Sequence, residues 1–375
     1  MSLQCGLVGL PNVGKSTIFN ALSDAGADSE NYPFCTIEPN VGVVPVPDDR
    51  LYRLAELADA DDTTPATIEF VDIAGLVEGA SEGEGLGNQF LGNIREVDLI
   101  VHVVRCFEDD DVGHVSGSVD PARDIDVINT ELLLKDLETV EKRLETHEKA
   151  AKSGDQEAQE KLTIFEALHD HLSDGHWART FEVPATGGDR SIIDELFLLT
   201  DKPVLYAANV AESDLPESLP QTGSGGNEHV ERVRTVAEDE GAETVVISAD
   251  VESQIVAFDD PDERQLFLDD LGLEQPGLER LIRAAYEQLG LITFFTAGPS
   301  EARAWTIEKG TRAPEAGGTI HSDFENGFIR AETVDFSDYD RLGSEAAARE
   351  AGVMRAEGKD YVVEDGNVMF FRFNV

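Results

Sequence analysis

The chain is poor in cysteine, methionine, tryptophan and positive charge. Its 375 residues include 3 Cys, 3 Met and 2 Trp, and 29 Lys+Arg stand against 76 Asp+Glu. Cys5, Cys35 and Cys106 are odd in number, widely spaced and without a C-x-x-C pair. That excludes a disulfide frame or a thiolate zinc site and reads as reduced thiols of a cytoplasmic protein. No apolar run approaches membrane-spanning length and no charged-then-apolar leader opens the chain, so neither a membrane nor secretion is expected. A formal charge of −47 also disfavours direct DNA binding, because counterion release needs clustered Lys and Arg; a local basic patch stays open.

What is present is enough to fold. At 41% hydrophobic and 28% charged, the chain has ample core material, and its length argues for two or three domains. Of the cations only 9 are Lys and 20 are Arg, a balance that fits a carboxylate-rich surface in a salt-rich, halophilic cytoplasm where salt screens repulsion.

Gln4–Leu10, Thr67–Ile73, Leu99–Arg105, Pro203–Asn209 and Glu243–Ser248 are short Val- and Ile-rich runs separated by helical or loop material, as buried parallel strands are. The alternation implies a doubly wound α/β domain with any ligand at the carboxyl ends of the strands. In Ile125–Leu172 the apolar residues Leu133, Leu137, Val140 and Leu144 keep a helical step, Ser153-Gly154-Asp155 breaks it, and Leu162, Phe165, Leu168 and Leu172 resume it; this is an antiparallel helical hairpin. Pro184–Arg190 and Pro216–Asn227 read as flexible connections. Beyond about residue 290 a separate α+β domain is expected, with strands Thr293–Ala297, Ala302–Glu308, Phe328–Val334, Tyr361–Glu364 and Asn367–Phe373 and a hairpin turn at Asp365-Gly366. The partition is 1–124 with 200–285 for the nucleotide domain, 125–199 for the hairpin and 290–373 for the last domain.

Gly9-Leu10-Pro11-Asn12-Val13-Gly14-Lys15-Ser16 fits G-x-x-x-x-G-K-[ST] between a strand and a helix beginning near Thr17, the context a phosphate-binding loop requires. Backbone N–H groups of such a loop wrap the phosphates, Lys15 adds a cation, Ser16 offers a hydroxyl to Mg²⁺, and the helix dipole favours the anion. Asp72, closing the strand before Gly75, is placed to hold the Mg²⁺ shell, and Thr36 to become a second protein ligand when γ-phosphate is present. Leu76 stands where a water-orienting glutamine is found in familiar GTPases, so another group must serve; Gly79–Gly87 forms a glycine-rich switch segment. At the base, Asn209-Val210-Ala211-Glu212 replaces N-K-x-D, which spoils the guanine clamp and costs adenine nothing; Ser248-Ala249 suits the loop that closes over the base. Loss of one clamp relaxes selectivity more surely than it reverses it, so a GTPase stays open.

Taken with Asn31–Asn40, Phe70–Leu76, Gly83–Asn88, His102–Glu108, Glu357–Tyr361 and Phe371–Val375, these motifs resemble the Obg-like ATPases, the YchF family. The resemblance implies a Ras-like P-loop nucleotide domain, an inserted helical hairpin and a C-terminal β-grasp (TGS) domain. It also implies preference for ATP, Mg²⁺ on Ser16 and Thr36, base contact through the backbone of Val210, and association with the ribosome in translation or stress regulation. His114 becomes the water-orienting residue, a task an imidazole performs near neutral pH. Asn12 resembles the asparagine that helps hold K⁺ in cation-dependent P-loop enzymes. The chain is expected to be a monomer. A ribosome- or protein-binding module with negligible turnover is the alternative from another class.

His169, His171 and His176 do not complete a metal ligand set, Asp259–Glu263 lacks calcium-loop spacing, and Arg303, Arg312, Arg330 and Arg355 read as surface ion pairs. The acidity generates one prediction: the melting temperature rises steadily from millimolar to molar salt, measured by circular dichroism, and an unchanged melt would remove the salt-adapted reading.

Overall fold

A computed structural model of the chain describes residues 3–27, 40–73, 86–109, 111–152, 155–184, 190–215 and 226–374. In chain order the main elements are β1 (Gln4–Val8), α1 (Lys15–Ala27), β2 (Val41–Pro45), α2 (Asp49–Ala58), β3 (Asp62–Thr64), β4 (Thr67–Asp72), α3 (Leu86–Glu96) and β5 (Leu99–Arg105). Two long helices follow, α4 (Pro121–Ala151) and α5 (Gln156–Ser173), then β6 (Val204–Asn209), α6 (Glu228–Glu240), β7 (Glu243–Ile247), α7 (Ala249–Ile255), α8 (Pro261–Asp270) and α9 (Gly277–Gln288). The last part holds β8 (Leu291–Ala297), β9 (Glu301–Glu308), α10 (Ala313–Ile320), β10 (Phe328–Asp335), β11 (Arg355–Glu357) and β12 (Asn367–Phe373), with short helices between. The chain divides into two compact units, one of Met1–Asp24, Glu38–Gly42 and Phe70–Leu281, the other of Ala25–Ile37, Val43–Glu69 and Ile282–Val375.

In the first unit β1, β5, β6 and β7 are neighbours in that order, and the pairings β1 with β5, β5 with β6 and β6 with β7 are parallel. All seven residues of β5 and all six of β6 are buried, which is why these strands read as unbroken apolar runs. The expected strands differ from the observed ones by at most two residues at an end. α4 and α5 form the antiparallel hairpin, its core built from Val140, Ile164, Phe165, Leu168 and Leu172. Asp120 and Asp155 cap the two helices, accepting from Arg123 N at 3.4 Å and Ala158 N at 3.2 Å.

α4 is tied to the sheet by a buried carboxylate. Asp136, 0% exposed, accepts from Leu199 N at 2.9 Å, Thr200 N at 2.8 Å and Thr200 Oγ1 at 2.7 Å, and burial pushes its pKa up to about 6 although these donors pull it down. The residues entering β6 are thereby pinned to the middle of α4.

In the second unit the sheet order is β11-β10-β12-β8-β9-β3. β8 with β9, and β10 with β11 and β12, are antiparallel, whereas β12 with β8 and β3 with β9 are parallel. α10 covers one face through Ala313 and Ala316 against Phe294, Ile307 and Phe371. Two expectations fail here. Tyr361–Glu364 makes only an isolated bridge, Arg312 with Val362, and Asp365-Gly366 joins no pair of strands. Instead Asp365 Oδ1 accepts from Thr293 N at 2.9 Å, and Gly366, at φ 83°, donates to Thr293 O at 2.8 Å, so the turn docks on β8. β2, α2 and β3 were not anticipated; Val43–Glu69, which carries most of them, groups with the second unit.

His102 on β5 is 2% exposed, its ring 5.4 Å from that of Tyr206, and burial holds its pKa down at about 3. The unfolded chain takes this proton near the ordinary 6.5 and the folded one does not, so the stability His102 contributes is whole above that value and is lost as pH falls toward 3, by about 1.4 kcal/mol per pH unit. His102→Phe should lose stability less steeply than the parent between about pH 6.5 and about pH 4.5, in urea melts at constant high salt; equal slopes would show that His102 takes up its proton as readily in the fold as in the unfolded chain.

Candidate nucleotide site

β1 delivers the chain into a tight loop. Asn12 has φ 64° and Gly14 φ 93°, and a Cβ on Gly14 would collide with the side-chain amide of Asn209, while one on Gly9 would lie 2.7 Å from Val103 O. Both glycines are therefore required by close backbone approach. α1 begins at Lys15 and has no acidic residue in its first turn, so its N-terminal amides and dipole remain available to an external anion. Val13 is buried, Thr17 half-buried and Ser16 exposed. Lys15, 8% exposed, donates through Nζ to Asp72 Oδ1 at the carboxyl end of β4.

Asn209 closes β6 with its side chain fully employed. Nδ2 donates to Val13 O at 2.8 Å and Oδ1 accepts from Ala249 N at 2.9 Å, while its backbone oxygen accepts from Cys106 N at 2.8 Å. Val210 is 2% exposed and donates its N–H to Ile247 O at 2.9 Å. Ser248 is buried ahead of α7, and its Oγ has no hydrogen-bond partner among the described residues.

The loop after β5 is wound around one guanidinium. Arg105, 2% exposed, donates to Phe107 O at 3.1 Å, Val112 O at 2.9 Å and Asp109 O at 3.4 Å, with Cζ 4.4 Å from the Phe107 ring centroid. From the other side Asn12 Nδ2 donates to Gly113 O at 3.0 Å, which fastens the residue before His114 to the phosphate loop. The His114 ring is engaged at both nitrogens: Nε2 lies 2.8 Å from Asp124 Oδ2, and Nδ1 accepts from Ser116 N at 3.1 Å.

Hydrogen bonds thus join Asn12 directly, and Val13 and Ala249 through Asn209, to the loop carrying His114, with Gly14 packed on Asn209 and Lys15 bonded to Asp72. His114 itself presents no free ring nitrogen. Thr36, Gly75, Leu76 and all but the last residues of Gly79–Gly87 lie outside the described residues, as do most of Pro184–Arg190 and Pro216–Asn227. Sequence reasoning missed Arg105 and Asp124. The one signal for Arg105 is a cation closing a largely apolar strand; Asp124, an acid in the first turn of a helix, has none that sets it apart from an acid complementing the helix dipole.

Mg²⁺ fits the donors present. An exposed hydroxyl at Ser16 and a carboxylate at Asp72 are hard oxygen ligands, and Asp72 now neutralises Lys15. Outside this site, His171 Nε2 is taken up by Trp177 O and Thr180 Oγ1, each at 3.0 Å, and no metal-type cluster of His, Cys, Asp or Glu exists among the described residues. Asp260 caps α8, and Arg303, Arg312, Arg330 and Arg355 pair with Glu301, Asp360, Glu332 and Asp335. No helix among the described residues is long and apolar enough to cross a membrane.

Arg105→Leu would remove the donor shared by the carbonyls of Phe107, Asp109 and Val112, so it should destabilise the protein by about 1–3 kcal/mol and raise amide exchange across Phe107–Gly113, measured by urea unfolding and hydrogen exchange. Parent-like exchange in that segment would mean that the loop holds itself.

Two family models match the chain: YchF-GTPase_C, described as a protein of unknown function (DUF933), over residues 291–374, and MMR_HSR1, described as 50S ribosome-binding GTPase, over residues 4–149. Proteins named ribosome-binding ATPase YchF from Bacillus subtilis (strain 168) and Escherichia coli O157:H7 are each 53% identical over 375 residues, covering 100% of this chain and of the relative. The solved structure of the Schizosaccharomyces pombe YchF GTPase superposes with a TM-score of 0.86 at 36% identity, covering 99% of this chain and 98% of that one. With agreement from end to end in sequence and in fold, the chain belongs to the YchF family.

Proposed function

We propose that this protein is an ATP-hydrolysing P-loop switch whose nucleotide state sets its affinity for the ribosome. The observation that carries the base assignment is the use already made of two backbone donors at the base loop: Ala249 N–H is held by Asn209 Oδ1 and Val210 N–H by Ile247 O. These are the donors that would meet the O6 acceptor of guanine. What Val210 can still offer is its carbonyl, an acceptor suited to the amine of adenine. Its buried side chain cannot stack on the base as a lysine stem does. The names of the bacterial relatives, ribosome-binding ATPase, support both the nucleotide and the partner.

In this reading Asn12, Val13, Gly14, Lys15, Ser16 and Thr17 enclose the phosphates, and Asn209, Val210, Ser248 and Ala249 enclose the base. Ser16, Thr36 and Asp72 would hold Mg²⁺, which would supply charge neutralisation at the phosphates. When Mg·ATP arrives, Lys15 exchanges its Asp72 partner for phosphate oxygens. His114 orients the attacking water, and Asn12, whose amide nitrogen is committed to Gly113 O, keeps its oxygen for K⁺. The hairpin spans 125–199, the C-terminal domain at 290–373 is of TGS type, and the protein works as a monomer in a halophilic cytoplasm. A nucleotide-stabilised ribosome-binding module with negligible turnover is favoured by one observation, the engagement of both His114 nitrogens.

Turnover and binding of ATP and GTP, measured side by side in molar KCl and in molar NaCl, separate these readings. ATP should be the preferred substrate, Lys15→Ala should lose both nucleotides, and His114→Ala should hydrolyse ATP about 10²-fold more slowly while binding it normally. GTP preference would reverse the base assignment, undiminished turnover in His114→Ala would remove the histidine, and equal rates in K⁺ and Na⁺ would remove potassium.

A further inference from the structure

His114 sits where the loop from β5 meets the first turn of α4, and its two ring nitrogens are held unequally. Because Nδ1 accepts from the Ser116 N–H at 3.1 Å, the ring proton is on Nε2, and Nε2–H donates to Asp124 Oδ2 at 2.8 Å. The Asp124 bond is charge-assisted and joins side chains only 4% and 3% exposed. The Ser116 bond is a local turn contact two residues away, at the surface. The carboxylate is fixed as well, since its other oxygen receives Arg123 Nη2 at 2.9 Å and Nε at 3.2 Å. Opening the weaker contact therefore frees the Nδ1 lone pair while Asp124 still holds the ring.

We propose that Asp124 is the positioning residue of the hydrolytic step: it sets the Nε2–H tautomer of His114 and fixes the ring so that Nδ1 is the atom turned to the attacking water. The proposal rests on the reading of His114 as the water-orienting group. Nδ1 accepts the hydrogen bond of the water, whose oxygen bonds to the γ-phosphorus as the bond to the β,γ-bridging oxygen breaks and its electron pair leaves with ADP. The water proton passes to Nδ1, Asp124 balances the imidazolium, and the proton is then shed to solvent. Asp124 belongs to α4, so the first helix of the hairpin carries part of the hydrolytic apparatus.

The test uses the full-length protein in high potassium. In Asp124→Asn the Arg123 guanidinium claims the remaining oxygen and the amide NH₂ faces the ring, which drives the proton to Nδ1. Turnover should fall about 10²-fold with ATP affinity unchanged, the same substitution should cost nothing further in the His114→Ala background, and Asp124→Glu should recover part of the rate. Nitrogen-15 spectra of the ring should change from the Nε2–H to the Nδ1–H pattern. Unchanged or raised turnover in Asp124→Asn, or an equal loss in the His114→Ala background, would overturn the proposal. The parent spectrum decides without any variant: an Nδ1–H pattern there overturns it too. Undiminished turnover in His114→Ala would instead sink the underlying reading, a result distinct from each of these.

Discussion

The carboxamide of Asn209 holds together loops that arrive from distant parts of the sequence. Its donor secures the phosphate loop at Val13, its acceptor secures the start of α7 at Ala249, and its backbone oxygen secures Cys106, where the loop toward His114 begins. The short side-chain amide of this buried residue, 3% exposed, serves two of them because it is donor and acceptor in one planar group, and the main-chain carbonyl serves the third. The collision that a Cβ on Gly14 would make with this same amide explains why phosphate loop and base strand are constrained as a pair. The geometry of the phosphate loop and of the start of α7 is inherited from one side chain.

Where an element is buried on both faces, its sequence is a plain record of it. Leu99–Arg105, buried throughout, coincides with its strand, and the phosphate loop is hydrogen-bonded to Asp72 and Asn209. The failures have a common physical form. β3 is the polar triplet Asp62–Thr64, which acquires strand geometry only by pairing with β9, so no local pattern could reveal it. Tyr361–Glu364 has strand-like alternation but a single bridge, because Asp365 and Gly366 spend their hydrogen bonds on Thr293. Arg105 and Asp124 escaped notice because a charged residue is ordinarily assumed to be in water. One here is enclosed by carbonyls and the other by a guanidinium and an imidazole.

The acidity that dominates the composition is partly structural. Asp48, Asp120, Asp155 and Asp260 accept from the first turns of helices, a position worth about 1 kcal/mol each, and Asp136 and Glu252 cap backbone from inside the core. Glu332 gathers Arg330, Arg349 and Arg372 at 3.0, 2.9 and 2.8 Å, and these guanidinia, Arg349 foremost, hold its pKa down near about 2. The preference for Arg over Lys follows from such sites, since a planar fork can serve two acceptors where an ammonium is a single point.

The anchoring of α4 has a mechanical consequence. The helix has 31 residues, a rod about 46 Å long, pinned near its midpoint where Asp136 grips the chain entering β6. Asp124 stands about 18 Å to one side of that pin and the far tip about 22 Å to the other. The arm toward Asp124 is buried through Ile125, Ile128 and Leu132 and tied to Glu240 by Asn129, so a sideways load at the tip of the hairpin is borne by the packing of that arm as well as by the pin.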